Sequence, residues 1–176
     1  DNASILGADV LLVVPGRSLY GQERQDAFDR LLDSVNQVCL YCEQYDLKLG
    51  IESANKMVTD LVVTHDDALK IINELAYPSL GVVLDTGHLY LNQEDIVKAM
   101  ENSGDLLLQF HVNDNDGVQQ QNLIPGDGSY DFSNFVDVLS RFGYDGFLSV
   151  ELGWHYTIDP APALSESVNR LRKMLI

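Results

Sequence analysis

The stretch Gly81–Leu91, GVVLDTGHLYL, places a carboxylate and an imidazole three residues apart where an apolar run ends. The run predicts a buried strand, so Asp85 and His88 should lie at its carboxyl end. The other predicted strands end in the same way, with polar side chains at Arg17, Glu52 with Asn55, His111 with Asp114, and Glu151 with His155. This repetition indicates a common architecture for all of these strand ends.

A strand followed by a helix recurs five times along the chain. The predicted strands cover residues 10–14, 47–53, 80–84, 106–112 and 146–152. The predicted helices cover residues 24–45, a segment capped at 64–67 that stops before 78, a segment after 92, 131–143 and a last one from about 162. This alternation predicts parallel strands joined by crossovers, in either a doubly wound sheet or a (β/α)8 barrel.

The loops favour the barrel. Neither G-x-G-x-x-G nor G-x-x-x-x-G-K-[ST] is present, so the phosphate-binding signatures of doubly wound and P-loop folds are missing. Polar residues at the carboxyl end of every strand are typical of a barrel active site. We therefore predict an α/β fold, a (β/α)8 TIM barrel, with residues 1–176 forming a single domain.

Only part of such a barrel is expected here, because a complete one has eight units and roughly 250 residues. The 176 residues account for the C-terminal five βα units of an incomplete barrel. An open parallel edge would expose unpaired backbone groups, so we expect a missing N-terminal segment, or a second copy in a homo-oligomer, to complete the sheet.

Charge and composition exclude several functional classes. The formal net charge is -16, from 11 basic and 27 acidic residues, which should repel nucleic acids and anionic membranes. The chain shows neither a long apolar run nor a signal-peptide pattern. Cys39 and Cys42 form a C-x-x-C, but they lie in a helical apolar pattern, so core packing is favoured over a redox or zinc site. A cytoplasmic protein without nucleic-acid or membrane partners is predicted.

Four residues suggest a metal centre. Each ends an apolar strand pattern, and we expect all four at the same height on consecutive strands: Glu52 in LGIE, Asp85 in VVLD, His111 in LQFH and Glu151 in LSVE. One acid after a strand is usually a helix cap, but three carboxylates close together repel by roughly several kcal/mol unless a cation binds. An oxygen-rich set with one nitrogen suits Mn²⁺, Mg²⁺ or Co²⁺ better than structural zinc.

The segments GIESAN, VVLDTGHLYL, FHVNDNDG, IPGDGSYDF and GYDGFLSVEL resemble successive signatures of the xylose-isomerase-like TIM-barrel superfamily. That superfamily holds sugar and sugar-phosphate isomerases and epimerases, inosose dehydratases and endonuclease IV. The resemblance spans nearly the whole chain. It implies that Glu52, Asp85, His111 and Glu151 are the metal ligands, on the last four strands of eight.

The resemblance also implies an activity. In epimerase members, glutamates at the positions of Glu52 and Glu151 touch the metal and move protons on opposite faces of the substrate. We therefore expect a metal-dependent isomerase or epimerase that acts on a small sugar-like polyhydroxy carbonyl compound through a cis-enediolate. One divalent ion is expected, Mn²⁺ before Mg²⁺, Co²⁺ or Zn²⁺. A dehydratase of the inosose or dehydroshikimate type and a non-catalytic truncated barrel remain alternatives.

Four further residues are candidates for binding the substrate. By resemblance, His88 hydrogen-bonds substrate oxygens and helps to polarise the carbonyl, although it also suits a capping position. Asn55 is a candidate contact for a sugar hydroxyl. Asp114 would orient a ligand or bind a hydroxyl, but NDNDG is also an ordinary turn sequence. Trp154 offers a flat face to a sugar.

The sequence departs from two branches of the superfamily. Endonuclease IV carries an additional D-x-H for its zinc ions, and residues 120–122 are here Gln-Gln-Asn, which disfavours a nuclease. Tagatose-type epimerases carry an arginine where this chain has Gly117. Residues 125–128 resemble the superfamily's P-G-x-G loop, which places backbone near the pocket. His65 begins a predicted helix and is expected at the surface.

Overall fold

The computed structural model describes residues 2–176, and the strands in this part form one parallel sheet. The strands are β1 (Val10–Val13), β2 (Lys48–Glu52), β3 (Leu80–Asp85), β4 (Leu107–Val112) and β5 (Leu148–Val150). Every neighbouring pair is parallel, and the order in space is the order in sequence. This arrangement is half of a TIM barrel and confirms the predicted fold class.

At least one helix follows every strand in sequence, as the alternation predicts, and a short helix precedes β1. They are α1 (Asn2–Ile5), α2 (Arg24–Cys42), α3 (His65–Leu75), α4 (Thr86–Leu91), α5 (Ile96–Ser103), α6 (Phe132–Phe142) and α7 (Pro160–Met174). Short 3₁₀ turns cover Glu43–Tyr45, Gly104–Leu106 and Trp154–Tyr156. None of the helices in residues 2–176 combines the length and apolarity that crossing a membrane requires.

Side-chain caps mark the starts of α3, α4 and α6. Thr64 and Asp67 form the predicted capping box at the start of α3, each side chain accepting a backbone N–H of the other residue. Asp131 caps α6 by accepting the N–H of Asn134, and Gly143 ends that helix with φ at 62°. The prediction lacked α4, which begins because Asp85 caps it directly at the end of β3.

The apolar core lies between the sheet and the helices. Phe110 of β4 and Phe135 of α6 are fully buried, with their rings edge to face and 5.3 Å between centroids. Cys39 and Cys42 are free thiols buried in the same core, as predicted. Burial raises the pKa of Cys39 to about 11, so this thiol is a packing group at neutral pH.

A β-bulge between β3 and β4 sets the register of the candidate site. Val82 pairs with Leu107 but Val83 pairs with Gln109, so β4 carries one extra residue. Because of that extra residue, Asp85 lies opposite His111; without it, Asp85 would lie opposite the buried Phe110. The bulge therefore determines which side chain of β4 faces Asp85.

Candidate metal centre

Four ligand side chains converge at the carboxyl ends of β2 to β5. Glu52, Asp85, His111 and Glu151 each offer one ligand atom, and these atoms all lie within 4.8 Å of one another. Parallel strands end at the same edge of the sheet, which is why residues from four separate strands meet. The structure thus brings together the set that the sequence singled out, and their role as metal ligands stays a prediction.

The His111 ring links two of the carboxylates. Its Nδ1 lies 3.0 Å from Oε1 of Glu52 and 3.2 Å from Oε2 of Glu151. Burial alone would lower the pKa of His111, but the hydrogen bonds with Glu151 and Glu52 outweigh it and raise the pKa to about 10. The bond from His111 in turn lowers the pKa of Glu151. The ring therefore balances negative charge that a cation would otherwise neutralise.

Asp85 is the most buried of the four candidate ligands, being only 1% exposed. Its Oδ1 accepts the backbone N–H of His88 (2.8 Å), and its Oδ2 accepts the side-chain amide of Asn113 (2.6 Å). Burial, and then the charge of Glu52, raise the pKa of Asp85 well above its usual range. A buried carboxylate beside other acids is costly unless a positive charge compensates it. The donor set therefore fits a divalent cation.

Carboxamide side chains contact the side chains of the candidate ligands. Besides Asn113 on Asp85, Asn122 donates to Oε1 of Glu151 (3.0 Å), and the amide of Gln109 lies 3.2 Å from Nε2 of His111. Such outer contacts orient ligands and tune metal affinity. The sequence pattern did not single out these amides, although Gln109 and Asn113 stand two residues before and after His111, the spacing that keeps side chains on one strand face.

Residues 120–122 take part in this amide frame. Asn122 contacts Glu151, and Oε1 of Gln120 accepts a hydrogen bond from the amide of Asn55 (2.8 Å). The positions where endonuclease IV has D-x-H thus supply neutral hydrogen-bonding groups in this chain. This arrangement favours a centre for a single cation.

His88 lies beside the four ligand residues. Its backbone N–H is bonded to Asp85, and its buried ring approaches Asn55, with Nδ1 3.1 Å from the amide nitrogen. Burial lowers the pKa of His88, so the ring is neutral near pH 7. His88 is not a member of the four-residue ligand group. Its assignment to the substrate therefore stays a prediction.

Asn55 is buried, and its polar atoms are engaged within the protein. Its Oδ1 accepts the backbone N–H of Met57 (2.9 Å), while its Nδ2 faces Gln120 and His88. These contacts favour a supporting position behind His88 over direct contact with a sugar hydroxyl.

Asp114 is fully buried and anchors the loop at 125–128. Its carboxylate accepts the backbone N–H groups of Asn115 (2.8 Å), Gly126 (2.9 Å), Gly128 (2.8 Å) and Tyr130 (3.0 Å). A β-carbon on Gly128 would collide with the backbone of Asn115, so this loop requires glycine there. These contacts hold the loop, and none of them is with a candidate metal ligand, so both expected roles of Asp114, orienting a ligand or binding a hydroxyl, stay predictions.

Trp154 and His65 complete the set of candidates. Trp154 is 80% exposed in the turn after β5, and its ring packs against that of His155 with 5.2 Å between centroids. Its contact with a sugar stays a prediction. The predicted surface position of His65 is wrong: the residue is 6% exposed, and its Nδ1 lies 2.6 Å from Oε2 of Glu94. That partner stands 29 residues further on, beyond any local pattern.

Cavities lie near both ends of the strands. One of about 100 Å³ is lined by Asn55, Met57, Val118 and Gln120 among others, so it lies near His88, which Asn55 contacts. A larger one of about 730 Å³ lies at the amino ends of the strands, beside Lys48. None of the four candidate ligand residues lines either cavity.

Known proteins share this architecture. A fructoselysine 3-epimerase of Escherichia coli O157:H7 is 25% identical over 176 residues, covering 99% of this chain and 64% of the relative. Among solved structures, the apo 3-keto-D-glucoside 4-epimerase YcjR of E. coli matches with a TM-score of 0.83 and 20% identity, over 97% of this chain and 66% of that one.

A further solved structure, the IOLI protein with a zinc atom, matches with a TM-score of 0.82 and 19% identity, over 98% of this chain and 65% of that one. At these sequence identities, the similarity to the solved structures shows the fold alone. The chain spans 53% of one curated relative, an uncharacterized protein of Methanocaldococcus jannaschii, and 64% of the fructoselysine 3-epimerase. The family described as xylose isomerase-like TIM barrel matches residues 1–174, so this chain belongs to it.

Proposed function

We propose that this chain carries the catalytic centre of a divalent-metal-dependent epimerase or isomerase of a small sugar or related polyhydroxy carbonyl compound. The observation that carries the proposal is the meeting of Glu52 and Glu151, from strands separated by β3 and β4, within one group of ligand atoms. The epimerases among the similar proteins support it.

The two glutamates lie in different surroundings, which suits two different proton transfers. The side chain of Glu52 is 3% exposed, and that of Glu151 is 42% exposed. One carboxylate would take the proton from a carbon beside a carbonyl, leaving an enediolate, and the other would return a proton to the opposite face. Return to the same carbon inverts its configuration, and delivery to the neighbouring carbon gives aldose–ketose isomerisation.

The cation would be held by Glu52, Asp85, His111 and Glu151. We propose Mn²⁺ before Mg²⁺, Co²⁺ or Zn²⁺, because three of the four donors are oxygens. The cation would supply polarisation of the substrate carbonyl, which acidifies the adjacent C–H bond. His88 would hydrogen-bond a substrate oxygen.

The other substrate contacts are also proposals. Trp154 would present its flat face at the mouth of the site, Asn55 would support His88, and Asp114 would hold the neighbouring loop in place.

The remaining proposals concern the molecule around the centre. Residues 1–176 would belong to one domain, located in the cytoplasm, that binds a small sugar-like molecule and no nucleic acid, since the net charge is -16. The edge strands β1 and β5 each lack one neighbour in the described sheet. Further strands of the same protein, or a second copy, would close these edges.

Solvent-exchange experiments test the proposed reaction. The protein is incubated in D₂O with Mn²⁺ and a panel of ketoses, and the products are analysed by NMR and mass spectrometry. We expect one deuterium at the carbon whose configuration changes, and none when a chelator replaces the metal. Glu151→Gln should abolish exchange, while Glu101→Gln, at an exposed ion pair with Arg141, should leave it intact.

Two outcomes would contradict the proposal. Loss of water from a cyclic polyol ketone without deuterium exchange would identify a dehydratase. Tight metal binding with neither exchange nor elimination on any substrate in the panel would support a non-catalytic barrel.

A further inference from the structure

The side-chain amide of Asn55 lies against the imidazole of His88, and both residues are buried. The distance from Nδ2 of Asn55 to Nδ1 of His88 is 3.1 Å, which is a hydrogen bond. The direction of this bond depends on which end of the amide faces the ring and on which ring nitrogen carries a proton. Neighbouring groups determine both.

The backbone of Met57 fixes the orientation of the Asn55 amide. Its N–H group lies 2.9 Å from Oδ1 of Asn55, and a backbone N–H can only donate. If the amide were turned over, two donors would face each other at this contact. The opposite end, Nδ2, therefore faces His88, and it also donates to Oε1 of Gln120 at 2.8 Å.

An amide NH₂ group can only donate, so Nδ1 of His88 must accept. An imidazole nitrogen accepts only when it carries no proton, and a neutral ring then carries its one proton on the other nitrogen. We infer that Asn55 is a positioning residue that fixes His88 in the tautomer protonated at Nε2.

The inferred tautomer gives His88 an N–H to donate. In residues 2–176, the hydrogen bonds of His88 run through its backbone N–H and Nδ1, and none is made by Nε2. A donor at this position would stabilise a substrate oxygen that gains negative charge during proton transfer. This consequence rests on the proposed function, but the assignment of the tautomer does not.

Nuclear magnetic resonance tests the inference directly. Long-range ¹H–¹⁵N correlation spectra of the ¹⁵N-labelled protein distinguish the two neutral tautomers by their two-bond couplings. The chain has 4 histidines, and His88→Gln identifies the signals of His88 by their loss. Spectra are recorded with a chelator and again with Mg²⁺, which is not paramagnetic. We expect the Nε2–H pattern for His88 in both.

Asn55→Asp provides the sharpest variant. Aspartate keeps the acceptor for Met57 but replaces the donor that faces His88 with an acceptor, so the proton should move to Nδ1. Asn92→Asp is the matched control, since Asn92 lines the same small cavity but donates to the carbonyl of Val63. The control should leave the tautomer of His88 unchanged. Circular dichroism and the His65 signals report whether each variant is folded.

Three results would overturn the inference: an Nδ1–H pattern for His88 in the wild type, mixed tautomers there, or an unchanged tautomer in folded Asn55→Asp. If the enzyme is active, Asn55→Asp should lower kcat by roughly 100-fold. A wild type that shows the Nε2–H pattern but no activity on any ketose would support the inference and count against the proposed function.

Discussion

Both carboxylate oxygens of Asp85 accept hydrogen bonds within the protein. One accepts from the backbone of His88 and so begins α4, while the other accepts from Asn113. The same side chain therefore ends a strand, caps a helix and faces the other candidate ligands. Such fixed outer bonds hold a ligand in one rotamer, so less entropy is lost when a metal binds.

Substitutions at Asp85 and His88 should separate metal binding from turnover. We expect Asp85→Asn to weaken Mn²⁺ binding by at least about tenfold, because a charged ligand is lost. His88→Gln should leave Mn²⁺ affinity unchanged and lower kcat by about 100-fold, because it loses the group that we propose hydrogen-bonds the substrate. Calorimetric titration with Mn²⁺ and steady-state kinetics measure the two effects. Equal losses of metal affinity in both variants would contradict this division of roles.

Asn113 should influence metal affinity without binding the metal itself. Asn113→Ala removes the amide that holds Oδ2 of Asp85, and we expect metal affinity to fall by about 10- to 100-fold. Asn36→Ala, which removes an amide that accepts from Tyr77 away from the centre, is the control. Calorimetric titration with Mn²⁺ gives the affinities. An unchanged Kd in folded Asn113→Ala would show that the amide does not orient the ligand.

Helix α3 is tied to the loop before α5 by a buried pair. The Nδ1 of His65 lies 2.6 Å from Oε2 of Glu94, and the same oxygen accepts the backbone N–H of His65. This contact joins residues distant in sequence. It explains why a histidine at a helix start is buried, although the sequence pattern predicts a surface position.

The pair should make stability depend on pH. The hydrogen bond with Glu94, opposed by burial, raises the pKa of His65 above 6.5. The contribution of this pair to stability is therefore complete below the pKa of His65 in the unfolded chain. It is lost as pH rises through the higher pKa of His65 in the folded protein. Urea unfolding at about pH 5 and about pH 9 should show a larger loss of stability in the wild type than in His65→Gln. Equal losses would contradict a stabilising charged pair.

The stability of the loop at 125–128 should depend on its hydrogen bonds to Asp114 more than on the ion pair between Asp127 and Arg170. Asp114→Asn would place an NH₂ group against backbone donors, and we expect a loss of about 3 kcal/mol in the free energy of unfolding. Asp127→Asn, which weakens the partly exposed pair with Arg170, should cost at most about 1 kcal/mol. Chemical denaturation measures both. Similar costs would contradict the anchoring role.

At the scale of elements, the sequence predicted the strands and most helices because each carries a local signal. The apolar runs mark the strands, and Thr64, Asp131 and Gly143 mark helix ends. Helix α4 was not predicted, because its first residues contain Gly87 and it begins through the cap from Asp85. The bulge between β3 and β4 has no local sequence signal, since it depends on how the two strands pair.

The parallel order of the strands across the whole molecule explains why the candidate centre could be located from sequence. Residues that end parallel strands share one edge of the sheet, so four strand ends predicted four neighbouring side chains. The surrounding amides could not be predicted, because contacts such as Asn122 with Glu151 depend on loop paths and register. The sequence therefore predicts the clustering of the four side chains better than it predicts the amides around them.

Metal binding should stabilise the whole fold. A cation held by groups from four strands binds the folded state, and at about 100 times Kd it adds about 2.7 kcal/mol. For a chain of this size, we expect the Tm to rise by about 5 to 10 °C in Mn²⁺ relative to a chelator. Differential scanning calorimetry measures the shift, and the double variant Glu52→Gln with Asp85→Asn should show none. An equal shift in the double variant would place the cation elsewhere.

Anomalous diffraction from crystals of the protein grown with Mn²⁺ would show whether the four strand ends hold one cation. We predict a single anomalous peak within bonding distance of Glu52, Asp85, His111 and Glu151, with His88 outside the coordination sphere. A peak at another position, or no peak among these four side chains at saturating Mn²⁺, would contradict the account.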